Sequence, residues 1–401
     1  MLIRGAIRHR SGKNRKKINI RYLNVNNLNR IFLFMQKYRL YFAVILFPMS
    51  ILYGLAVFIR NLLFDAGVLK SARFKVPVIS VGNLTVGGTG KTPHVEYLLN
   101  RLKSRFKIAV LSRGYKRRTK GFRVAGTRSN IREMGDEPMQ VKYKFPDVIV
   151  AVDNRRVHGM ERLMEKFPGL EAVILDDAFQ HRYIHPTLSI MLVDHERPVF
   201  RDFLIPLGNL RECRRNINRA DVVIVTKSPA YMTNEQRDIF ITRLHIHRGQ
   251  PVFFTGYQYG IPVAVFGGKA QDADWNSIKK DNPAVLLVTG IANNKPLKEY
   301  LLQYTSNLTE LRFSDHHFYS AADILAIEKR FTELPAERKV IFTTEKDAAK
   351  LREMPGECQN IGVFMFYIPI EVKFLDNGER EFGEMVMQLL QGKTGQLNST
   401  A

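Results

Sequence analysis

Residues 76–102, VPVISVGNLTVGGTGKTPHVEYLLNRL, constrain the fold more tightly than any other stretch of the chain. Val76, Val78, Ile79 and Val81 form a β-branched run that suits a buried strand. Glycines then crowd positions 82 to 90, and His94, Tyr97, Leu98 and Leu102 recur at helical spacing. A strand that feeds a helix through a glycine loop builds a phosphate cradle. Successive backbone N–H groups and the positive end of the helix face the phosphate oxygens, and glycine lets the chain wrap closely around them. Within the loop Thr85, Val86, Gly87, Gly88, Thr89, Gly90, Lys91 and Thr92, the Lys91 ammonium serves the outer phosphates and the Thr92 hydroxyl serves a magnesium ion. Pro93 falls in the first helical turn, where a missing N–H costs little. The usual pattern places glycine five positions before Gly90. Thr85 stands there instead, with Gly87 and Gly88 close by to restore backbone freedom.

Apolar runs at 108–111, 148–152, 172–175, 190–193 and 222–225 alternate with helical patterns, the rhythm of a largely parallel sheet covered on both faces. Ligands of such sheets gather at the strand ends, and the chemically informative residues do follow these runs. A second series, 284–288, 340–343 and 363–370, implies another α/β unit. Four hundred residues exceed a comfortable single core, which also favours two domains. The segment 251–266 reads as a connector turning at Tyr259, Gly260 and Pro262. The expected division is a basic extension (1–47), an amphipathic membrane-associated helix (48–70), a P-loop domain (71–255), a second α/β domain (256–390) and a tail (391–401).

Three further groups carry chemistry. The run AVILDDAFQHR at 172–182 is an apolar strand ending in acid. Adjacent carboxylates at a strand tip repel without a cation, so Asp176 and Asp177 suit magnesium beside the cradle. His181 and His185 have a helical metal-ligand spacing, but Pro186 ends any helix there and they read as non-metal groups. In GDEP at 135–138, Asp136 is a loop carboxylate able to take a hydroxyl proton late in phosphoryl transfer to an alcohol. SDHHF at 314–318 offers an imidazole from the second domain if the two domains close on each other.

The net charge is +23, and residues 1–40 hold eleven Lys or Arg and no acid. Such a segment suits a solvated tail, an anionic membrane surface or nucleic acid. The next stretch favours the membrane. Residues 41–59 carry no charge, and as a helix would extend about 28 Å against a hydrocarbon core of ~30 Å. Pro48 is expected to open the helix, leaving 49–59 as a half-length apolar segment better suited to the interface than to a span. Two cysteines, Cys213 and Cys358, give neither a disulfide framework nor a zinc spacing and suit a reducing compartment.

GNLTVGGTGKTP at 82–93, SRGY at 112–115, GDEP at 135–138, DDAFQHR at 176–182, PLGNLRE at 206–212, SDHHF at 314–318 and TEKD at 344–347 occur together in this order. In that combination the chain resembles the tetraacyldisaccharide 4'-kinase (lipid A 4'-kinase) family. The resemblance implies two α/β/α domains with a central cleft, preceded by a helix at the membrane interface. It also implies ATP-dependent, Mg2+-dependent phosphorylation of the 4'-hydroxyl of a tetraacyl glucosamine disaccharide 1-phosphate. The enzyme would sit peripherally on the anionic cytoplasmic face of the bacterial inner membrane. By position, the resemblance assigns the ATP loop to Thr85 through Thr92, with Lys91 serving the transferred phosphoryl group. The catalytic carboxylate falls to Asp136 and its histidine partner to His316, with adjacent His317 leaving that register open. Magnesium falls to Thr92, Asp176 and Asp177, and Glu212 lands on a further acidic position. Ala178 stands where glycine is common.

Other P-loop classes compete, among them GTPases, metallochaperones and nucleic-acid-dependent ATPases. Thr226, Lys227 and Ser228 imitate the start of a guanine-reading motif, but Pro229 replaces the carboxylate that would read the base. A nucleic-acid binder is expected to interleave aromatic with basic residues on a sheet or helix, whereas the basic start is rich in Asn and runs into an apolar helix, so no nucleic acid partner is expected.

Overall fold

A computed structural model describes residues 25–267 and 274–392. Most of the basic extension, 1–24, and nearly all of the tail, 393–401, lie outside the described residues. In chain order the strands are β1 Val78–Asn83, β2 Ile108–Ser112, β3 Arg123–Val124, β4 Ile149–Val152, β5 Ala172–Asp176, β6 Leu188–Asp194, β7 Val222–Thr226, β8 Val252–Tyr259, β9 Val263–Ala264, β10 Ala284–Thr289, β11 Leu308–Arg312, β12 Lys339–Thr344, β13 Met365–Ile368 and β14 Ile370–Phe374. They form two sheets, a nine-stranded one ordered β14-β8-β7-β6-β1-β5-β2-β4-β3 and a five-stranded one ordered β11-β10-β12-β13-β9.

In the larger sheet all neighbours from β8 across to β4 run parallel, and the edges β14 and β3 run antiparallel. Helices cover both faces, so β1, β2, β5, β6 and β7 are buried at every position, which is why they read as unbroken apolar runs. β1 is central. Its register pairs Val81 with Asp176 of β5 and Asn83 with Leu192 of β6, so the acid pair lies beside the point where β1 gives way to the glycine loop. The smaller sheet is parallel except for β9 and has an apolar cluster on each face.

The expected cut at 256 falls inside β8, which completes the larger sheet beside β7. The chain also returns. β14 pairs with β8, and the helix Gly378–Leu390 sends Phe382, Val386 and Leu389 into the same core as Val95 and Leu99 of the helix that follows the cradle. Tyr97 meets Phe374 with ring centroids 5.0 Å apart. The P-loop unit is therefore built from both ends of the chain, because the exposed flank of its sheet and first helix needs apolar cover that the C-terminal segment supplies. Strand periodicity does not say which sheet a strand will join.

Pro48 does not open a helix. A single helix runs Val25–Asp65 with Pro48 inside it, at an exposed position where the loss of one backbone donor is tolerated between helix-forming segments. Within it Ala43–Asp65, whose most apolar 18-residue window has a mean hydropathy of 2.0, is long and apolar enough to cross a membrane. One side of this segment is fastened to the globular part: Ser50 Oγ donates to Leu204 O at 2.9 Å and the Tyr53 hydroxyl to Arg211 O at 2.8 Å. A Cβ on Gly54 would come within 2.7 Å of Leu204 Cδ1, so glycine permits the close approach. Ile51, Leu52, Leu55, Phe58, Ile59 and Leu62 point away and are exposed.

Candidate active site

The loop after β1 closes as its glycines require. Gly87 and Gly90 have φ of +107° and +88°, and Gly90 caps the helix Lys91–Leu102. A side chain at Gly90 would collide with the Tyr257 hydroxyl. Asn83 braces the loop from inside: its Nδ2 donates to Thr85 O at 2.9 Å and to Thr89 Oγ1 at 2.8 Å. Thr85 occupies the missing-glycine position in an extended bridge with Leu210, and Val86 N donates to Asn209 O. That bridging contact calls for extended backbone rather than glycine's freedom.

Two further braces come from the end of β7. Thr226 Oγ1 donates to Thr89 O at 2.9 Å, and Lys227 Nζ donates to Gly88 O at 2.7 Å while pairing with Asp194 at 2.6 Å. The segment that imitates a guanine-reading motif is thus a strut under the phosphate loop. Arg197, tethered to Asp194 at 3.5 Å, brings its guanidinium close beside Gly87.

Lys91 Nζ lies 3.6 Å from Asp177 Oδ1 and 3.5 Å from Asn83 Oδ1. Asp177 also accepts from Arg211 at 2.9 Å. Burial alone would raise its carboxyl, but the charges of Lys91 and Arg211 outweigh burial and hold it below the usual range. Asp176 behaves oppositely. Burial and the like charges of Glu137 and Asp177 push it up to about 7. Its Oδ1 is buried without a hydrogen-bond partner, and its Oδ2 has only a long contact from Ser112 Oγ at 3.4 Å. A buried, repelled and orphaned carboxylate oxygen beside the phosphate loop fits a divalent cation. Among the described residues no three His, Cys, Asp or Glu side chains group to hold a metal. Magnesium bound here would fill its remaining positions from Thr92, nucleotide oxygens and water, its common mode in nucleotide sites.

Asp136 begins the helix Asp136–Lys144 directly after Gly135, whose φ of +97° and closeness to Tyr115 O fit only glycine comfortably. His316 comes from the loop after β11 in the other unit, and its Nδ1 lies 2.6 Å from Asp136 Oδ2. His317 instead faces Asp323 at 3.1 Å, so of the two adjacent histidines it is His316 that meets Asp136. The Tyr115 ring stands edge-on to the His316 ring at 5.3 Å. Burial would raise Asp136, but the His316 hydrogen bond and Lys346 together pull it down to about 2. The arrangement keeps a buried carboxylate ionised in the cleft between the units.

Glu212 does not join the acid pair. It is fully buried, paired with Arg60 at 2.5 Å and Arg219 at 2.5 Å, and it accepts from Asn216 at 2.8 Å. Two guanidinium groups already neutralise it, so magnesium has little to gain there. It instead locks the apolar helix, through Arg60 and Asn61, to the segment carrying Arg211. Sequence reasoning also missed Asn83, Lys227, Arg211 and Lys346. For Lys227 a signal exists in its three-residue motif, but nothing in that motif points to the phosphate loop it braces.

A glycine cradle closed by lysine and threonine at the tip of a central parallel strand, an acid pair beside it and a separate carboxylate–imidazole pair define a P-loop phosphotransferase. The family described as LpxK, Tetraacyldisaccharide-1-P 4'-kinase, matches residues 42–391. A tetraacyldisaccharide 4'-kinase of Bacteroides thetaiotaomicron is 44% identical over 355 residues, covering 87% of this chain and 93% of the relative. One from Flavobacterium johnsoniae is 41% identical, covering 86% and 97%. The chain belongs to the tetraacyldisaccharide 4'-kinase family. A crystal structure of the "apo" form of LpxK from Aquifex aeolicus in complex with ATP has a TM-score of 0.66 and 29% identity, covering 86% of this chain and 98% of that one.

Proposed function

We propose that this kinase transfers the γ-phosphate of ATP to the 4'-hydroxyl of a tetraacyl glucosamine disaccharide 1-phosphate, a step in lipid A synthesis, at the cytoplasmic face of the inner membrane. The observation that carries this reading is the continuity between the apolar helix and the phosphate loop. Tyr53 donates to Arg211 O, Arg211 pairs with Asp177, and Leu210 bridges Thr85. An exposed apolar helix fastened beside the phosphate cradle has no use for a soluble acceptor, and suits one whose acyl chains lie in a membrane. The helix lies along the globular part through Ser50, Tyr53, Arg60 and Asn61, a side-on attachment that supports interfacial rather than spanning placement. The basic N-terminal sequence suits anionic lipid headgroups.

In this reading Lys91 and the loop N–H groups hold the outer phosphates, and charge developing on the transferred group is met by Lys91. Thr92, Asp176 and Asp177 would hold magnesium, which neutralises phosphate charge when bound. Asp136 accepts the hydroxyl proton as the new bond forms, and His316 orients the carboxylate. The test is incubation of the purified chain with labelled ATP, magnesium and candidate acceptors. Label should move to the tetraacyl disaccharide 1-phosphate and not to its deacylated form. Hydrolysis of ATP stimulated by RNA, without lipid transfer, would overturn the reading.

A further inference from the structure

Lys346, whose charge helps hold the Asp136 carboxyl low, also completes the group around Asp136 and His316. It is the second residue of the helix Glu345–Leu351, at a positive helix end that favours acids, and both its neighbours Glu345 and Asp347 are acidic. Helix stability therefore does not explain a lysine there. Its ammonium, largely buried, lies 3.1 Å from His316 Nε2 and 3.7 Å from both Asp136 Oδ2 and Asp315 Oδ1. The helix and the turn after it are fixed in place from outside the site: Lys144 Nζ donates to Glu345 at 3.0 Å, and Ile131 N donates to Glu353 at 2.5 Å.

We propose that Lys346 is a positioning residue that fixes the tautomer of His316 and so presents Asp136 as an ionised, correctly oriented proton acceptor. The argument is one of donors and acceptors. An ammonium has only N–H donors, so His316 Nε2 must turn its lone pair toward Lys346. The ring proton then sits on Nδ1 and is donated across 2.6 Å to Asp136 Oδ2. Asp136 Oδ1, which accepts from Glu137 N at 3.1 Å, keeps a further lone pair for the acceptor hydroxyl. The charged and titratable groups facing the imidazole are Asp136 from its helix, Tyr115 from the loop after β2, Asp315 from its own loop, and Lys346; Lys350 adds charge toward Asp136. Without Lys346 the Nε2 position is free to take a proton from solvent. The resulting imidazolium would tie up the carboxylate in a full ion pair.

The inference rests on the kinase reading for its kinetic consequences, while its structural claim is tested independently. In the 15N spectrum of imidazole-labelled full chain near neutral pH, His316 is expected to carry its proton on Nδ1 alone. Lys346→Met is expected to give a mixed or doubly protonated ring. Its kcat should fall about 10- to 100-fold near pH 6 and recover most of that loss near pH 9, with apparent ATP KM within about twofold of the parent. Lys346→Arg, which keeps a cationic donor, should retain the Nδ1–H signature and most of the activity. A parent ring protonated on Nε2 overturns the proposal even if no variant folds. So does a Lys346→Met enzyme whose kcat loss is the same at every pH and whose ring signals are unchanged. Failure of lipid phosphorylation with an Nδ1–H ring would instead count against the kinase reading.

Discussion

Asp136 and His316 are separated by 180 positions in the chain and by 2.6 Å in space. One comes from the large sheet's unit and the other from the small one, so the pair exists only while the two units are closed on each other. If they act as one catalytic group, Asp136→Asn and His316→Ala should each lower kcat by about 10²- to 10⁴-fold with apparent ATP affinity kept. The double variant should lose little more than the worse single one. Steady-state kinetics of the three proteins checks this; additive losses would break the pair apart.

The strut under the phosphate loop should govern nucleotide binding rather than chemistry. Lys227→Met removes a charge-assisted bond to Gly88 O and leaves Asp194 buried with fewer partners. A loss of ~1.5–3 kcal/mol would raise the apparent ATP KM by about 10- to 100-fold. Competition by GTP should remain weak, because nothing at Pro229 replaces the missing carboxylate. A titration of ATP and GTP against the variant and the parent measures both effects.

Leu52 and Phe58 are 66% and 62% exposed on the outer face of the long helix, pointing away from its anchoring residues. Replacing both with Glu should release the protein from anionic vesicles in a flotation assay, with Tm changed by less than about 2 °C, since neither residue packs on the globular part. Pelleting that survives high salt and alkaline extraction in the double variant would identify a true span.

The cradle, the acid pair and the parallel sheet were legible because each is local: a strand, a loop and a helix carry their signature within about thirty residues. Glu212 was not. Its partners Arg60 and Arg219 stand on separate elements, and nothing near 212 in sequence announces two guanidinium groups. The place of β14 was not legible for a related reason, because an amphipathic strand fits the edge of either sheet and only tertiary packing chooses. Pro48 misled through a sound local rule. Proline favours the first turn, but the apolar segments on either side have the length to keep one helix going through it.

Asp176 gives the sharpest dependence on pH. Its folded carboxyl is pushed up to about 7 by burial and by the charges of Glu137 and Asp177, against an ordinary value near ~3.9 in the unfolded chain. Between those two values the folded protein holds a proton that the unfolded chain has released. Metal-free stability should therefore fall as pH rises from about 4 to about 7, and level off above that. Magnesium needs the same oxygens ionised and competes with the proton, so its addition should raise Tm more near pH 8 than near pH 6. Asp176→Asn removes both effects. The variant without magnesium should be more stable than the parent near pH 8, by at least ~2 °C, should lose most of the magnesium-dependent rise in Tm, and should lose activity. Thermal melts at the two pH values, with and without magnesium, decide it. A variant that kept the parent's full magnesium response would remove Asp176 from the metal site and leave its buried, unpartnered Oδ1 to be explained by something else.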